Sequence, residues 1–329
     1  MTRTDFAQSA VASIFTGAIA SHAAVLADDL GLFDALAKGK LRNRDLDRSP
    51  WLRNRIRISG ALEALCRVGA VQRCTDGYEL TDVGTELAGQ VPVFRLWLGG
   101  YASVLAGQIS IGADPATGVH GGIVAESSGA IGARYLDETI VNLLESLRPE
   151  GRICDIGCGT GARLLRVCRR VNQPGIGYDL SAKAVEAARE TVDEARRIGV
   201  DIDVRQGDAT ALTQDHPDVD IVTQAFMTHH IAPDEYCAAV LRSYRSRFPR
   251  ARYLVIFDTV PSQDSEEPEI FAPGFDYIHA LQNMEPRSRG AARRMFTEAG
   301  YICREEVELA VPNSYAWVLE MRDREGPAS

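Results

Sequence analysis

The stretch "DIGCGTGARLL" places Gly157, Gly159 and Gly161 between an apolar run and a run with helical spacing. Glycines at a strand-to-helix turn let the backbone approach a ligand closely. Taken alone, such a turn would also suit a nucleotide diphosphate. Asp155 precedes the first glycine; a carboxylate there repels a pyrophosphate and suits a cationic amino-acid ligand. Acids end the next two strand-like runs as well. Asp179 in "GYDLS" is placed to accept from ribose hydroxyls, and Asp208 in "QGDAT" lies where an adenine amino group would sit. A second group of residues is "QAFMTHHIAPDE", where His229 and His230 stand side by side at an element boundary, in a chain with six histidines. An imidazole there is a general base, a metal ligand or a turn residue, and its ordinary pKa near neutrality suits the first two roles.

These residues need a scaffold. From Arg152 onward the pattern alternates. Strands are expected at "RICDIG", "PGIGYDL", "DIDVRQGD", "VDIVTQAF", "RYLVIFDTV", "YICREEVEL" and "SYAWVLEM", with helices between them. That alternation means a doubly wound α/β sheet, in which ligands bind at the carboxyl ends of the strands. The first third reads as helices, "AAVLADDLGLFDALAKG" and "SPWLRNRIRISGALEALCRVGAV", followed by a short hairpin around Asp76-Gly77. Helices with a small hairpin suggest a winged-helix-like module. The expected organisation is a helical domain over residues 1–100, a Gly-rich linker and pocket wall over 101–133, and a catalytic domain over 134–329.

The chain has 329 residues, 45% hydrophobic and 25% charged, with a net charge of −9. An acidic chain with scattered arginines argues against a nucleic-acid partner. The apolar run from Val11 to Leu26 is interrupted by Ser13, Thr16, Gly17, Ser21 and His22, so a buried helix is expected rather than a membrane span. Seven cysteines without zinc-ribbon spacing fit a reducing, cytoplasmic setting.

The glycine turn with its acids resembles the class I S-adenosylmethionine-dependent methyltransferases over roughly Arg134 to Arg322. The helical front, with "LADDLGLFDAL", resembles the dimerisation module of small-molecule O-methyltransferases. The resemblance implies a Rossmann-like seven-stranded sheet behind a winged-helix-like dimerisation domain, and a homodimer. It implies that Asp155, Gly157, Gly159 and Gly161 contact the amino-acid part of S-adenosyl-L-methionine, that Asp179 and Leu180 hold the ribose side, and that Asp208 and Ala209 hold the adenine, with Gln224 also near the cofactor. In O-methyltransferases of this architecture a histidine before an Asp-Glu helix start is the general base, and His230 holds that position.

His279 in "GFDYIHALQNM" pulls toward a different chemistry, because that segment covers the same pocket in the family. Two imidazoles converging on one cavity suggest a metal with open positions, with Met227 and Thr228 as neighbours. The combination resembles the metal-dependent α-keto acid C-methyltransferases of nonribosomal peptide pathways. That resemblance implies a non-haem iron or another divalent metal on His230 and His279. It implies methylation of the beta carbon of an aryl- or branched-alkyl pyruvate through a metal-stabilised enolate, with His229 as the adjacent proton acceptor. Arg134 is the candidate for the substrate carboxylate, and Trp97, Gln108 and Gln282 are candidates for the rest of the pocket. Two other readings stay open. One is a metal-independent O-methyltransferase with His230 as base. The other is a transcriptional regulator that kept a ligand domain behind its winged helix, against which the intact glycine turn and the acidic charge both count.

Overall fold

The structure, a computed structural model, describes residues 10–48, 50–107, 117–261 and 271–321. The chain divides into two compact units, residues 1–99 and 100–329.

In the first unit α1 (Ala10–Asp29) is followed by α2 (Leu32–Ala37). The apolar pattern predicts a single helix from Ala23 to Gly39, but Gly31 takes φ 66° and ends the first helix there. After β1 (Leu41–Arg42) and α3 (Asn43–Leu46), a short 3-10 turn leads into α4 (Arg55–Arg67). Ser49 of the expected Ser-Pro cap lies outside the described residues. The expected hairpin is present as β2 (Val71–Cys74) and β3 (Gly77–Leu80), with β1 pairing on β3. Helix α5 (Asp82–Phe94) is capped by Thr81, whose hydroxyl accepts from the Gly84 amide at 3.1 Å. Leu32, Leu46, Ile58, Leu62 and Leu65 form the fully buried centre of this unit. By length and composition α1 is apolar enough to cross a membrane. Its Ala23, Ala24 and Ala27 are buried in the core of the unit, while Val11, Ile14, Phe15 and Ile19 are exposed.

The second unit begins with α6 (Ala102–Leu105), α7 (Gly121–Tyr135) and α8 (Asp137–Ser146). Much of the Gly-rich stretch expected as linker is therefore helix, and the helix expected across 132–147 is interrupted at Leu136. The sheet contains β4 (Arg152–Ile156), β5 (Gly175–Asp179), β6 (Ile202–Gln206), β7 (Val219–Ala225), β8 (Tyr253–Thr259), β9 (Ile302–Glu308) and β10 (Ser314–Glu320). All seven are the expected strands. Their order is β6-β5-β4-β7-β8-β10-β9, parallel except for β10, which is antiparallel to both neighbours. Helices α9 (Ala162–Val171), α10 (Ala182–Arg197), α11 (Asp234–Arg247), α12 (Ala272–Leu281) and α13 (Arg289–Glu298) complete the unit. The chain steps outward from β4 to β6 and then returns to β7 on the other side. The carboxyl ends of β4 and β7 therefore flank the switch point where such sheets bind ligands. Cys154, Ile156, Val222, Leu241, Tyr244, Phe296 and Trp317 belong to the core against which α11 and α13 pack.

Candidate functional site

The glycine turn follows β4 as expected. Gly157 takes φ 76°, a left-handed conformation that L side chains rarely adopt, and a Cβ there would lie 2.6 Å from Met227 Cγ. Asp179, at the end of β5, holds the turn from the side. One carboxylate oxygen accepts from the Gly159 amide and the other from the Ser181 amide, each at 2.9 Å. Ser181 also caps α10. The turn, Asp179, one face of α7 and the segment Ala225–Met227 enclose a cleft of about 240 Å³, with His230 on its wall. Phe226 turns the chain out of β7 with φ 56°, a strained conformation of the kind that clusters at functional sites. We expect Gly157→Ala to abolish S-adenosylhomocysteine binding, read by calorimetry, because it adds both backbone strain and a clash with Met227. Binding at wild-type affinity would show that the cofactor does not approach this turn.

Several expected contacts lie elsewhere. Asp155 is 2% exposed, accepts from Thr223 Oγ1 at 2.7 Å, and faces a separate small void beside Leu164 and Phe257. It ties β4 to β7 through Thr223 and does not line the cleft. The reason is the pleat, which points Asp155 and its partner Thr223 to one face of the sheet and Gln224 to the other. Gln224 is accordingly sealed in the core, and neither of its amide atoms has a hydrogen-bond partner among the described residues. Asp208 is turned back on Thr210, accepting from its amide and its hydroxyl at 2.8 Å each. Ala209 is buried and accepts from the Tyr244 hydroxyl at 3.1 Å. Leu180 is 63% exposed, and none of these three residues lines the 240 Å³ cleft. Arg134 is exposed near the end of α7, over the Tyr135 ring, and not on the cleft wall. The arginines that do line it are Arg163 and Arg166, each 2.9 Å from a carboxylate oxygen of buried Asp137. Trp97 is buried and belongs to the first unit. Gln282 is half-buried just past α12, and its backbone N–H donates to the Ile278 carbonyl at 3.1 Å. Gln108 lies outside the described residues.

Burial pushes the Asp155 carboxyl up to about 6, against the opposing pull of Arg163 and the Thr223 hydrogen bond. A raised carboxyl contributes stability that is complete below its unfolded value of 3.8 and lost as pH rises through about 6. Asp155→Asn keeps an acceptor for Thr223 and removes the buried charge. It should therefore stabilise the protein at pH 7.5 by roughly 1–3 kcal/mol in urea denaturation, with the gain disappearing below pH 4. A pH-independent difference would contradict this account.

The histidines come together. The turn after β7, Thr228–His230, carries two of them and α12 carries the third. The rings of His229 and His279 lie 4.9 Å apart between centroids, and those of His230 and His279 lie 5.5 Å apart. One ligating nitrogen from each of the three falls within 4.8 Å of the others. Ligands about 2.1 Å from a common ion stand roughly 3–4 Å apart, so modest ring rotations would bring all three into one shell.

Hydrogen bonds fix which nitrogens are free. His279 Nδ1 is 2.6 Å from the Phe275 carbonyl oxygen, which can only accept, so Nδ1 carries the proton and Nε2 keeps a lone pair. That Nε2 is buried and has no hydrogen-bond partner among the described residues. His229 Nδ1 is 2.5 Å from Asp258 Oδ1, which likewise leaves Nε2 as its free atom. Burial first, and then the neighbouring His229, push the His279 imidazole down to about 4. His230 keeps surface open to the cleft but is closely ringed by protein. That enclosure, with His229 and His279 beside it, holds its pKa well below the ordinary imidazole value. His230 and His279 are therefore neutral near pH 7, the state in which an imidazole binds metal.

Asp258, at the carboxyl end of β8, anchors this group. Its oxygens accept from the His229 amide at 3.1 Å, the Thr259 amide at 2.9 Å, the His229 ring and the Thr228 hydroxyl. Burial raises its pKa, but His229 and these hydrogen bonds outweigh it and leave the carboxyl below the usual range. Phe275 packs against the rings of both His229 and His279. Sequence reasoning passed over Asp258, although the rule that singled out Asp155, Asp179 and Asp208, an acid ending a strand, applies to it equally. It brought out His230 and His279 as a pair, and the structure adds His229 to the same group.

Residues 153–247 match the family model described as a methyltransferase domain. A methyltransferase of Aspergillus campestris named ungE' is 30% identical over 195 residues, which are 55% of this chain and 56% of that protein. The chain thus spans little more than half the length of that curated relative. Among solved structures, a protein of Nostoc punctiforme PCC 73102 superposes with TM-score 0.72 at 18% identity, covering 95% of this chain and 100% of that one. Human N-acetylserotonin methyltransferase in complex with SAM gives 0.68 at 15% identity, covering 94% and 96%. The mitomycin 7-O-methyltransferase gives 0.64 at 16% identity, also covering 94% and 96%. At these identities the likeness concerns the fold, which is that of the O-methyltransferase-like class I methyltransferases.

Proposed function

We propose, from the methyltransferase domain over residues 153–247 and the class I fold around it, that this protein is an S-adenosyl-L-methionine-dependent C-methyltransferase acting on the beta carbon of an α-keto acid. The donor supplies a methyl group on a sulfonium centre whose leaving group needs no further activation. The chain's part is to hold that group. Asp179 braces the glycine turn and keeps acceptor capacity toward the cleft, and Gly157 leaves room beside Met227.

The observation that carries the choice of C-methylation is the buried Nε2 of His279, which has no hydrogen-bond partner among the described residues and lies beside His229 and His230. A metal-free O-methylation needs one basic imidazole and leaves a second buried lone pair unexplained. Three imidazoles, two of them with Nδ1 engaged by a carboxylate or a carbonyl, have the outer-sphere pattern of metal ligands. His229, His230 and His279 would hold a divalent cation such as iron. Bound there, it would act as a Lewis acid on the keto oxygen and make the beta carbon acidic.

A second reading has its own support. The 2.5 Å contact of His229 with Asp258 is also the arrangement of a carboxylate-oriented general base, which would serve O-methylation of a hydroxyl substrate. In that reading the base is His229 and not His230, since among the described residues His229 is the one of the two with an orienting carboxylate. The exposed face of α1 is the surface we assign to pairing of two copies, tested by sedimentation.

Metal analysis of the purified protein, with assays on phenylpyruvate and a phenol panel in EDTA, separates the readings. We expect bound divalent metal, keto acid methylation lost in chelator, and beta-proton exchange in phenylpyruvate without the methyl donor. Methylation of a phenol by metal-free protein would establish the second reading instead.

A further inference from the structure

The two halves of the histidine group come from segments about fifty residues apart in sequence, and one side chain joins them. Arg287 lies in the loop between α12 and α13 and its side chain is 8% exposed. Its Nε donates to Asp234 Oδ1 at 2.6 Å, one terminal nitrogen donates to the Thr228 carbonyl at 2.6 Å, and the other donates to the Ile231 carbonyl. Thr228 and Ile231 bracket His229 and His230, and Asp234 opens α11. The loop that carries Arg287 is in turn tied to the third histidine, because the Met284 amide donates to the His279 carbonyl at 2.8 Å.

We infer that Arg287 is a positioning residue that locks the His229–His230 turn to the end of the His279 helix and so sets the spacing of the three donor nitrogens. It touches no donor nitrogen itself. Its planar fork is the feature that matters: three acceptors in three directions are held by one rigid, permanently charged group, which a lysine cannot reproduce. Asp234 supplies the opposite charge, so the guanidinium is not buried unpaired. Arg287 also lines, with Thr228, His229 and Asp258, the small void behind the His229 ring. A shift of the guanidinium would therefore reach the carboxylate that orients that ring.

The inference rests on the metal-site reading for its function, and the test keeps the two apart. Co(II) is titrated into metal-free wild type, Arg287→Met and Arg287→Lys, following the visible ligand-field spectrum, with S-adenosylhomocysteine binding as the measure of an intact fold. We expect Arg287→Met to weaken Co(II) by about 10–100-fold and alter the spectrum, as loss of outer-sphere support does, with cofactor-product binding unchanged. Arg287→Lys should fall between the two. An Arg287→Met protein with normal S-adenosylhomocysteine binding and wild-type Co(II) affinity and spectrum would overturn the inference. Should that variant not fold, wild-type values in Arg287→Lys overturn it equally. If wild type takes up no Co(II), the metal reading fails. The positioning role is then decided by the downfield proton resonance of His229 Nδ1–H, assigned by its loss in Asp258→Asn: displaced in the Arg287 variants it sustains the role, unmoved it removes it.

Discussion

His279→Ala is expected to lose divalent-metal binding by more than about a hundredfold, beyond the effect of losing an outer-sphere partner, and to take keto acid methylation with it. Binding of S-adenosylhomocysteine should stay at the wild-type level, because His279 does not line the cleft under the glycine turn. His279 spends its Nδ1 proton on its own helix at Phe275 and presents an unprotonated Nε2 to His229 and His230. Removing the ring also leaves a cavity beside Phe275, so a stability loss of roughly 2–4 kcal/mol accompanies the change. Cofactor-product binding therefore serves as the internal control. If metal and S-adenosylhomocysteine affinity fall together, His279 is a packing residue and the proposed centre is not there. If the variant retains full methylation of a hydroxyl substrate, the enzyme works by the His229–Asp258 pair.

Asp258→Asn should act through that pair. The carboxylate is buried, accepts four hydrogen bonds and faces the His229 ring. An amide in its place no longer forces the His229 proton onto Nδ1, so Nε2 is no longer reliably the free atom in either chemistry. We expect kcat to fall by about 10²–10⁴, the range associated with losing correctly oriented acid–base function. Removing one partner of a buried pair should also cost roughly 3–5 kcal/mol at pH 7 in urea denaturation. The Asp258 pKa is lowered from 3.8, so its contribution is present above that value and lost as pH falls through the still lower folded value. The stability gap between wild type and variant should accordingly narrow in strong acid. A kcat within a few-fold of wild type, in a folded variant, would mean that the His229 tautomer does not matter to the reaction.

Much of the frame was legible in the order of residues. The seven strands follow from short apolar runs bounded by turn residues and separated by helical periodicity, signals that act over a few neighbours. The glycine turn was legible for a similar reason, since left-handed backbone at Gly157 and Gly161 is a local demand with a local answer. Helix α7 was harder. Its glycines and serines read as linker, and its helical form is an outcome of packing that overrides weak propensity.

The residue types for a histidine centre were likewise present in "MTHHI" and "YIHALQ", and their convergence followed from the family-like topology. Direction was not available from the chain alone. Asp155 and Gln224 point to opposite faces of the sheet by pleat parity and neither lines the cleft, a direction set by register and not by either residue type. Arg134 misses the cleft because of the rotation of α7 about its axis. The free nitrogens of His229 and His279 depend on acceptors, Asp258 and the Phe275 carbonyl, that only folding brings into contact. What the amino-acid order determined was therefore the set of elements and the chemical groups they carry. The tertiary structure decided which atoms of those groups face one another, because hydrogen-bond partners distant along the chain fix ring tautomers and side-chain directions that no local signal encodes.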